Sequence, residues 1–181
     1  QGQYPYVRMI DTDGKVSTVF QGSYNDPYYK KGFAIFNNGS SVMAIDYDDN
    51  IFLALGVGIK SIWTMQPGSS ELEIFLHSQS SRRAETGTNC TENGKNADVV
   101  DLESACRINQ NYLKLTVSPD NALYYDDNLS GSNSIIRAIH SGTVTTVAGS
   151  RTLGSQKDDT PALNAFIWGI EDMALTPNGD I

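Results

Sequence analysis

The stretch Asn133–Ser150, NSIIRAIHSGTVTTVAGS, is two short runs of β-branched residues folded about Ser141-Gly142. Alternating β-formers on either side of a two-residue Gly turn read as an antiparallel hairpin. Near the other end, Tyr4–Ser23, YPYVRMIDTDGKVSTVFQGS, has the same shape. Arg8, like Arg137, sits inside an apolar run; a Gly turn follows, and a Thr/Val run closes on Gly-Ser. A recurring hairpin calls for a search for a repeating unit, because a missed repeat misreads the whole fold.

Working outward from Asn133, the segment Tyr112–Asp127, YLKLTVSPDNALYYDD, is a second hairpin pattern about Ser118-Pro119-Asp120-Asn121. Val42–Leu55, VMAIDYDDNIFLAL, has the same layout about an Asp/Asn turn, and Glu171–Ile181, EDMALTPNGDI, begins it again with Thr176-Pro177-Asn178-Gly179 as its turn. The copy at 42 is followed by a further hairpin, VGIKSIWTMQPGSSELEIFL, as the copy at 112 is followed by SIIRAIHSGTVTTVAG. The unit is therefore four short strands, a-b-c-d, recurring every 60 to 70 residues or so. Residues 1–23 supply strands c and d of one unit, 42–76 a second, 112–148 a third, and 171–181 the start of a fourth.

This predicts an all-β chain, with no amphipathic helical period of useful length. Four antiparallel strands per repeat is how a β-propeller blade is built, whereas a β-sandwich would not need the same hairpin twice in register. About three blades' worth of strands cannot close a ring that needs four or more, so the expectation is part of a larger propeller. Its end faces would expose Ile45, Leu53, Leu115, Leu123 and Val147 unless covered by further blades of the same polypeptide or by a neighbouring subunit.

Composition narrows the partners. The 181 residues carry a net charge of −8, with 21 acidic against 13 basic side chains. Without a Lys/Arg cluster to neutralise phosphates, nucleic acid and anionic membranes are excluded as the main partner. No apolar run approaches the ~20 residues that span a bilayer, so no membrane insertion is expected in this segment.

The residues of the third unit resemble the NHL repeat. LTVSPDNALYYDDN followed by SIIRAIHSGTVTTVAGS is similar to that family's apolar strand, Pro-containing turn, Tyr-bearing strand ending in Asp, Ile-Arg, Gly turn and Ala-Gly close. KDDTPALNAFIWGIEDMALTPNGDI is similar to its connection into a next blade. Residues 42–76 match only in layout, since Leu53-Ala54-Leu55-Gly56 replaces the Asp-containing strand end and Lys60-Ser61-Ile62-Trp63 replaces Ile-Arg. The long Cys-bearing connection resembles the NHL propellers of extracellular adhesion proteins such as teneurins.

Arg8 and Arg137 are expected to be structural, each guanidinium bridging neighbouring blades through carbonyls or an aspartate such as Asp126 or Asp127. Cys90 and Cys106 lie in one polar connection and are expected to form a disulfide rather than remain two free thiols, which places the chain in an oxidising compartment. Asn38, Asn89 and Asn128 each begin an Asn-x-Ser/Thr glycosylation sequon in an expected loop. Asp46, Asp48, Asp126 and Asp127 offer hard oxygen ligands, so calcium is the one cofactor to weigh, although their spacing is not that of an EF-hand loop and Asp is an ordinary turn residue. His77 and His140 are the only histidines, too few for a three-His zinc site, and no nucleophile elbow, Walker loop or His-Glu-x-x-His is present.

No catalytic residue is assigned. The favoured reading is a non-catalytic extracellular module, secreted or at the cell surface, used for protein–protein interaction, adhesion or assembly of a surface or fibrous structure, its partners being other proteins, further blades or copies of itself. The alternative is a propeller enzyme, resembling amidating lyases or lactonase-like and strictosidine-synthase-like enzymes, whose remaining site residues lie outside this segment.

Overall fold

Eleven short strands account for the regular structure of a computed structural model that describes residues 6–21, 42–55, 61–77, 113–128, 133–150 and 157–181. In chain order β1 (Tyr6–Ile10) pairs with β2 (Val16–Gln21) as a two-stranded first sheet. A second sheet runs β3 (Val42–Ile45), β4 (Ile51–Leu55), β5 (Ser61–Met65), β6 (Glu73–His77), each strand antiparallel to its neighbour in sequence. The third repeats that order with β7 (Leu115–Val117), β8 (Leu123–Asn128), β9 (Asn133–His140) and β10 (Thr143–Ala148). A short 3-10 turn at Ala162–Asn164 leads to β11 (Ile167–Trp168), which pairs with the start of β9 where β10 has ended.

Two features differ from the sequence expectation. Residues 171–181 form no strand; only their turn is built, with the Thr176 N–H donating to the Asp180 carbonyl and the Gly179 N–H to the Thr176 carbonyl. The two-residue β11 was not expected either, since two residues carry no readable period.

The hairpins share a defect that fixes their register. In β1–β2 the pairing passes from Val7↔Phe20 to Arg8↔Thr18, leaving Val19 over. In β5–β6 it passes from Ile62↔Leu76 to Trp63↔Ile74, leaving Phe75, and in β9–β10 from Ile136↔Ala148 to Arg137↔Thr146, leaving Val147. One bulge at one place in each hairpin puts Arg8, Trp63 and Arg137 at equivalent positions. Because side chains alternate across a sheet, everything else then aligns too: Val7, Ile62 and Ile136 share one face, Arg8, Trp63 and Arg137 the other.

Packing uses both faces in one direction. Even-numbered Phe52 and Ala54 join Ile62 and Leu76 in a buried cluster with Leu115, Leu123, Tyr125, Ile139 and Val144 of the third sheet. Odd-numbered Leu53 joins Trp63, Met65 and Leu72 on the opposite face, against Phe20 and the partly buried Val7 and Val19 of the first sheet. The second sheet is thus the middle of a three-sheet stack, and the bulge residues Val19 and Phe75 both point along the same sense of stacking.

The exposed end faces therefore fall elsewhere than expected. Leu53, Leu115 and Leu123 are buried, because the sheets pack face to face within the chain. Ile45 is exposed and Val147 half-buried, while the larger open apolar face belongs to the first sheet, at Tyr6, Ile10 and Val16.

Gly149 ends β10 with φ +96, its N–H donating to the Ala162 carbonyl at 2.9 Å. A Cβ there would lie 2.5 Å from the Ser134 carbonyl oxygen and 2.9 Å from the Ile135 Cα, both backbone atoms that cannot swing away. Gly149→Ala is expected to cost about 2–4 kcal/mol, from overpacking and left-handed strain together; urea unfolding of the variant measures it.

Candidate functional site

Four turns are closed by the same device. In each, the side chain of the first turn residue accepts the backbone N–H four positions later: Asp11 Oδ1 from Lys15 at 2.8 Å, Asp46 Oδ1 from Asn50 at 2.8 Å, Ser118 Oγ from Ala122 at 3.0 Å and Thr176 Oγ1 from Asp180 at 3.0 Å. The residue three positions on is left-handed in every case, Gly14 at φ 77, Asp49 at 62, Asn121 at 61 and Gly179 at 89. Short polar side chains that bond their own backbone, and residues that tolerate positive φ, are what such a turn needs. This cap was not singled out in the sequence, although Asp, Ser or Thr followed three residues later by Gly, Asn or Asp was its visible signal.

The second- and third-sheet turns are tied together. Asn121 Oδ1 accepts the Tyr47 N–H at 2.9 Å, and Asn121 Nδ2 donates to Asp48 Oδ2 at 2.6 Å. Nearby, the Ser118 hydroxyl donates to Asp120 and holds its carboxyl below the ordinary carboxylate value, with the exposed His140 imidazole 4.0 Å away.

A polar cluster lies inside the third sheet. Arg137 Nε is 2.7 Å from Asp127 Oδ2, and both side chains are almost fully buried. The ion pair links adjacent strands β8 and β9 of one sheet, and of the two aspartates proposed for Arg137 it is Asp127 that lies beside the guanidinium. Asp126 points to the other face of β8, where its Oδ1 accepts the Lys114 N–H at 2.6 Å.

Tyr125 stands directly opposite Arg137 and is fully buried. Burial pushes its phenol far above the ordinary value of 10.0, the Asp127 carboxylate adds to this, and Arg137 opposes it. Its hydroxyl has no hydrogen-bond partner among the described residues. Tyr125→Phe is therefore expected to change stability at neutral pH by less than about 1 kcal/mol, since no hydrogen bond is lost. At alkaline pH the sign is fixed by linkage. The folded phenol titrates above the unfolded one, so its stabilising contribution is complete below pH 10 and is lost as pH rises further. Denaturant midpoints measured from pH 8 to pH 11 should fall less steeply for Tyr125→Phe than for the unaltered chain.

The second sheet shows what replaces this pair. Leu55 occupies the register of Asp127 and Trp63 that of Arg137, as the pairings Ala54↔Ile62 and Asp126↔Ile136 fix. The two departures from the repeat noted in the sequence are thus one change, an ion-pair position turned apolar on both sides.

The first hairpin carries the same residues without a cover. Arg8, Ile10, Val16 and Thr18 stand in the register of Arg137, Ile139, Val144 and Thr146, identical at all four positions. Ile139 and Val144 are 3% and 0% exposed; Ile10 and Val16 are 71% and 53%. Arg8 is exposed, and its guanidinium lies over the Tyr6 ring, 5.2 Å from the centroid.

The remaining sequence candidates are distributed. Asp46 spends its carboxylate on its own turn, through Asp48 and Asn50 N–H and the Asn50 amide. Asp46 and Asp48 sit at the β3–β4 turn, Asp126 and Asp127 within β8, and among the described residues no three His, Cys, Asp or Glu side chains come together as a metal site. His77 ends β6 and Asn128 ends β8. Cys90, Cys106, Asn38 and Asn89 lie outside the described residues. Among the described residues no helix is long and apolar enough to cross a membrane.

No protein-family model matches the chain, and no curated protein matches it.

Proposed function

We propose that the chain is part of an NHL-type β-propeller that acts as a non-catalytic extracellular module, binding other proteins in adhesion or in assembly of a cell-surface or fibrous structure. One observation carries the reading: three sheets stack in a single repeating sense, each with the same bulged hairpin facing the same way. Sheets that continue one another face to face are the packing of propeller blades. In this stack Asp46 and Ser118 are engaged in turn caps, and Asp127 and Arg137 in an ion pair. That role is structural.

Extracellular residence rests on the Cys90–Cys106 pairing and on glycans at Asn38, Asn89 and Asn128, which belong to the proposal. The test is a bead assay on the polypeptide secreted from a eukaryotic host, after peptide mapping of unreduced material. The reading expects a bridged Cys90–Cys106, glycan on at least one sequon, and saturable attachment of coated beads to cells or to each other that the free protein competes away. Two alkylatable thiols with bare asparagines, or beads that never attach saturably, would overturn it.

A further inference from the structure

We infer that the open edge of β1, together with the outer face of the first hairpin, is a docking surface for an inner β-hairpin of this repeat's own a–b type, supplied from outside the described residues and carrying an aspartate that pairs with Arg8.

Strand β9 pairs on one side with β10 and on the other with β8; β5 pairs likewise with β6 and β4. Strand β1 stands in the register of both but pairs only with β2 among the described residues, so the N–H and C=O groups along its other edge have no ladder. An edge of this kind is completed by antiparallel strand addition.

The chemistry of the incoming strand is set by Arg8. Its equivalent, Arg137, is buried against Asp127, which β8 brings across from the neighbouring strand. Among the described residues Arg8 faces no carboxylate and rests on Tyr6. A strand with the alternation Leu123-x-Tyr125-x-Asp127 would set its acid beside Arg8 and lay its aliphatic and aromatic residues next to Ile10 and Val16. The second sheet narrows this further, since Leu55 in the acid's register accompanies Trp63 rather than an arginine.

A second copy of the chain is not the source. Its inner hairpins β3–β4 and β7–β8 already pair with β5 and β9 of their own sheets. Two copies meeting outer face to outer face would also oppose Arg8 to Arg8.

The probe is a synthetic peptide copying Leu113–Asn128, added to the purified 181-residue chain while backbone amide exchange of β1 and β9 is followed by NMR. Protection appearing at Tyr6–Ile10 and not at Asn133–His140 is the expected result. A peptide with Asp127→Asn should bind about tenfold more weakly or worse. The chain variant Arg8→Glu should lose the unaltered peptide and regain binding with a peptide carrying Asp127→Lys. Arg8 is exposed, so this variant does not disturb the core. No protection at β1, protection at β9 through strand exchange, indifference to the charge swap, or β1 already protected in a concentration-dependent oligomer of the chain alone would each overturn the inference. It rests on the blade-like reading of the stack, yet the tests separate: bead attachment without hairpin docking leaves the interaction module standing, and docking without attachment leaves the edge assignment standing.

Discussion

Asp127→Leu is expected to lower stability by about 3–5 kcal/mol, because it removes the carboxylate that lies 2.7 Å from the buried Arg137 guanidinium. Arg137→Trp should cost a comparable amount by removing the cation beside the buried Asp127 carboxylate. The double variant copies the second sheet, where leucine and tryptophan hold the same two registers. It is expected to recover at least about 2 kcal/mol relative to the sum of the single changes, since residues in one buried pair are coupled and apolar replacements of such pairs are often tolerated. A double-mutant cycle from urea unfolding reads this coupling. Simple additivity would mean that the two sheets do not solve the same packing position in alternative ways.

Trp63→Ala should be as damaging, at about 3–5 kcal/mol. The indole is 1% exposed and fills the interface between the second sheet and Phe20 of the first, in a cluster with Leu53, Met65 and Leu72. Truncation there opens a cavity between two sheets joined by packing, and among the described residues the first sheet offers two strands to close it. Trp168, the second tryptophan, is exposed, so Trp168→Ala serves as the control and should leave the unfolding midpoint nearly unchanged. Equal effects of the two variants would count against the stacked arrangement.

Much of this architecture was legible in the chain because short strands between strong turns leave few options. The Ser141-Gly142 and Pro67-Gly68 turns mark outer hairpins, and Asp46–Asn50 and Ser118–Ala122 mark inner ones. Matching of Arg8 with Arg137 by sequence placed the repeat, and the bulge confirmed their common register. That Trp63 holds the same position was hidden, because a single unpaired residue shifts every side chain beyond it and cannot be seen in a list of hydrophobic runs. Which faces are covered was hidden as well. Leu53 and Leu115 look like any other strand leucines, and their burial depends on which sheet arrives opposite them. Residues 171–181 carry the expected turn but no strand, a reminder that local sequence can specify a turn while a ladder requires a second chain segment.

The first hairpin joins two signatures that are otherwise separate. It has the bulge of the outer hairpins and the side-chain-capped turn of the inner ones, with Asp11 in the place of Asp46 and Ser118. The cap fixes the turn without help from packing, which suits a hairpin with one face covered among the described residues.

The central claim is that the three sheets stack in the order first, second, third, with the second buried on both faces. Side-chain NOEs in the purified chain test this most directly. Cross-peaks from the Trp63 and Leu72 side chains to Phe20, and from Phe52 and Ile62 to the Leu123, Ile139 and Val144 cluster, are the predicted result. Cross-peaks linking Phe20 directly to that Leu123 cluster would contradict the claim, since they would bring the first and third sheets together and leave the second outside.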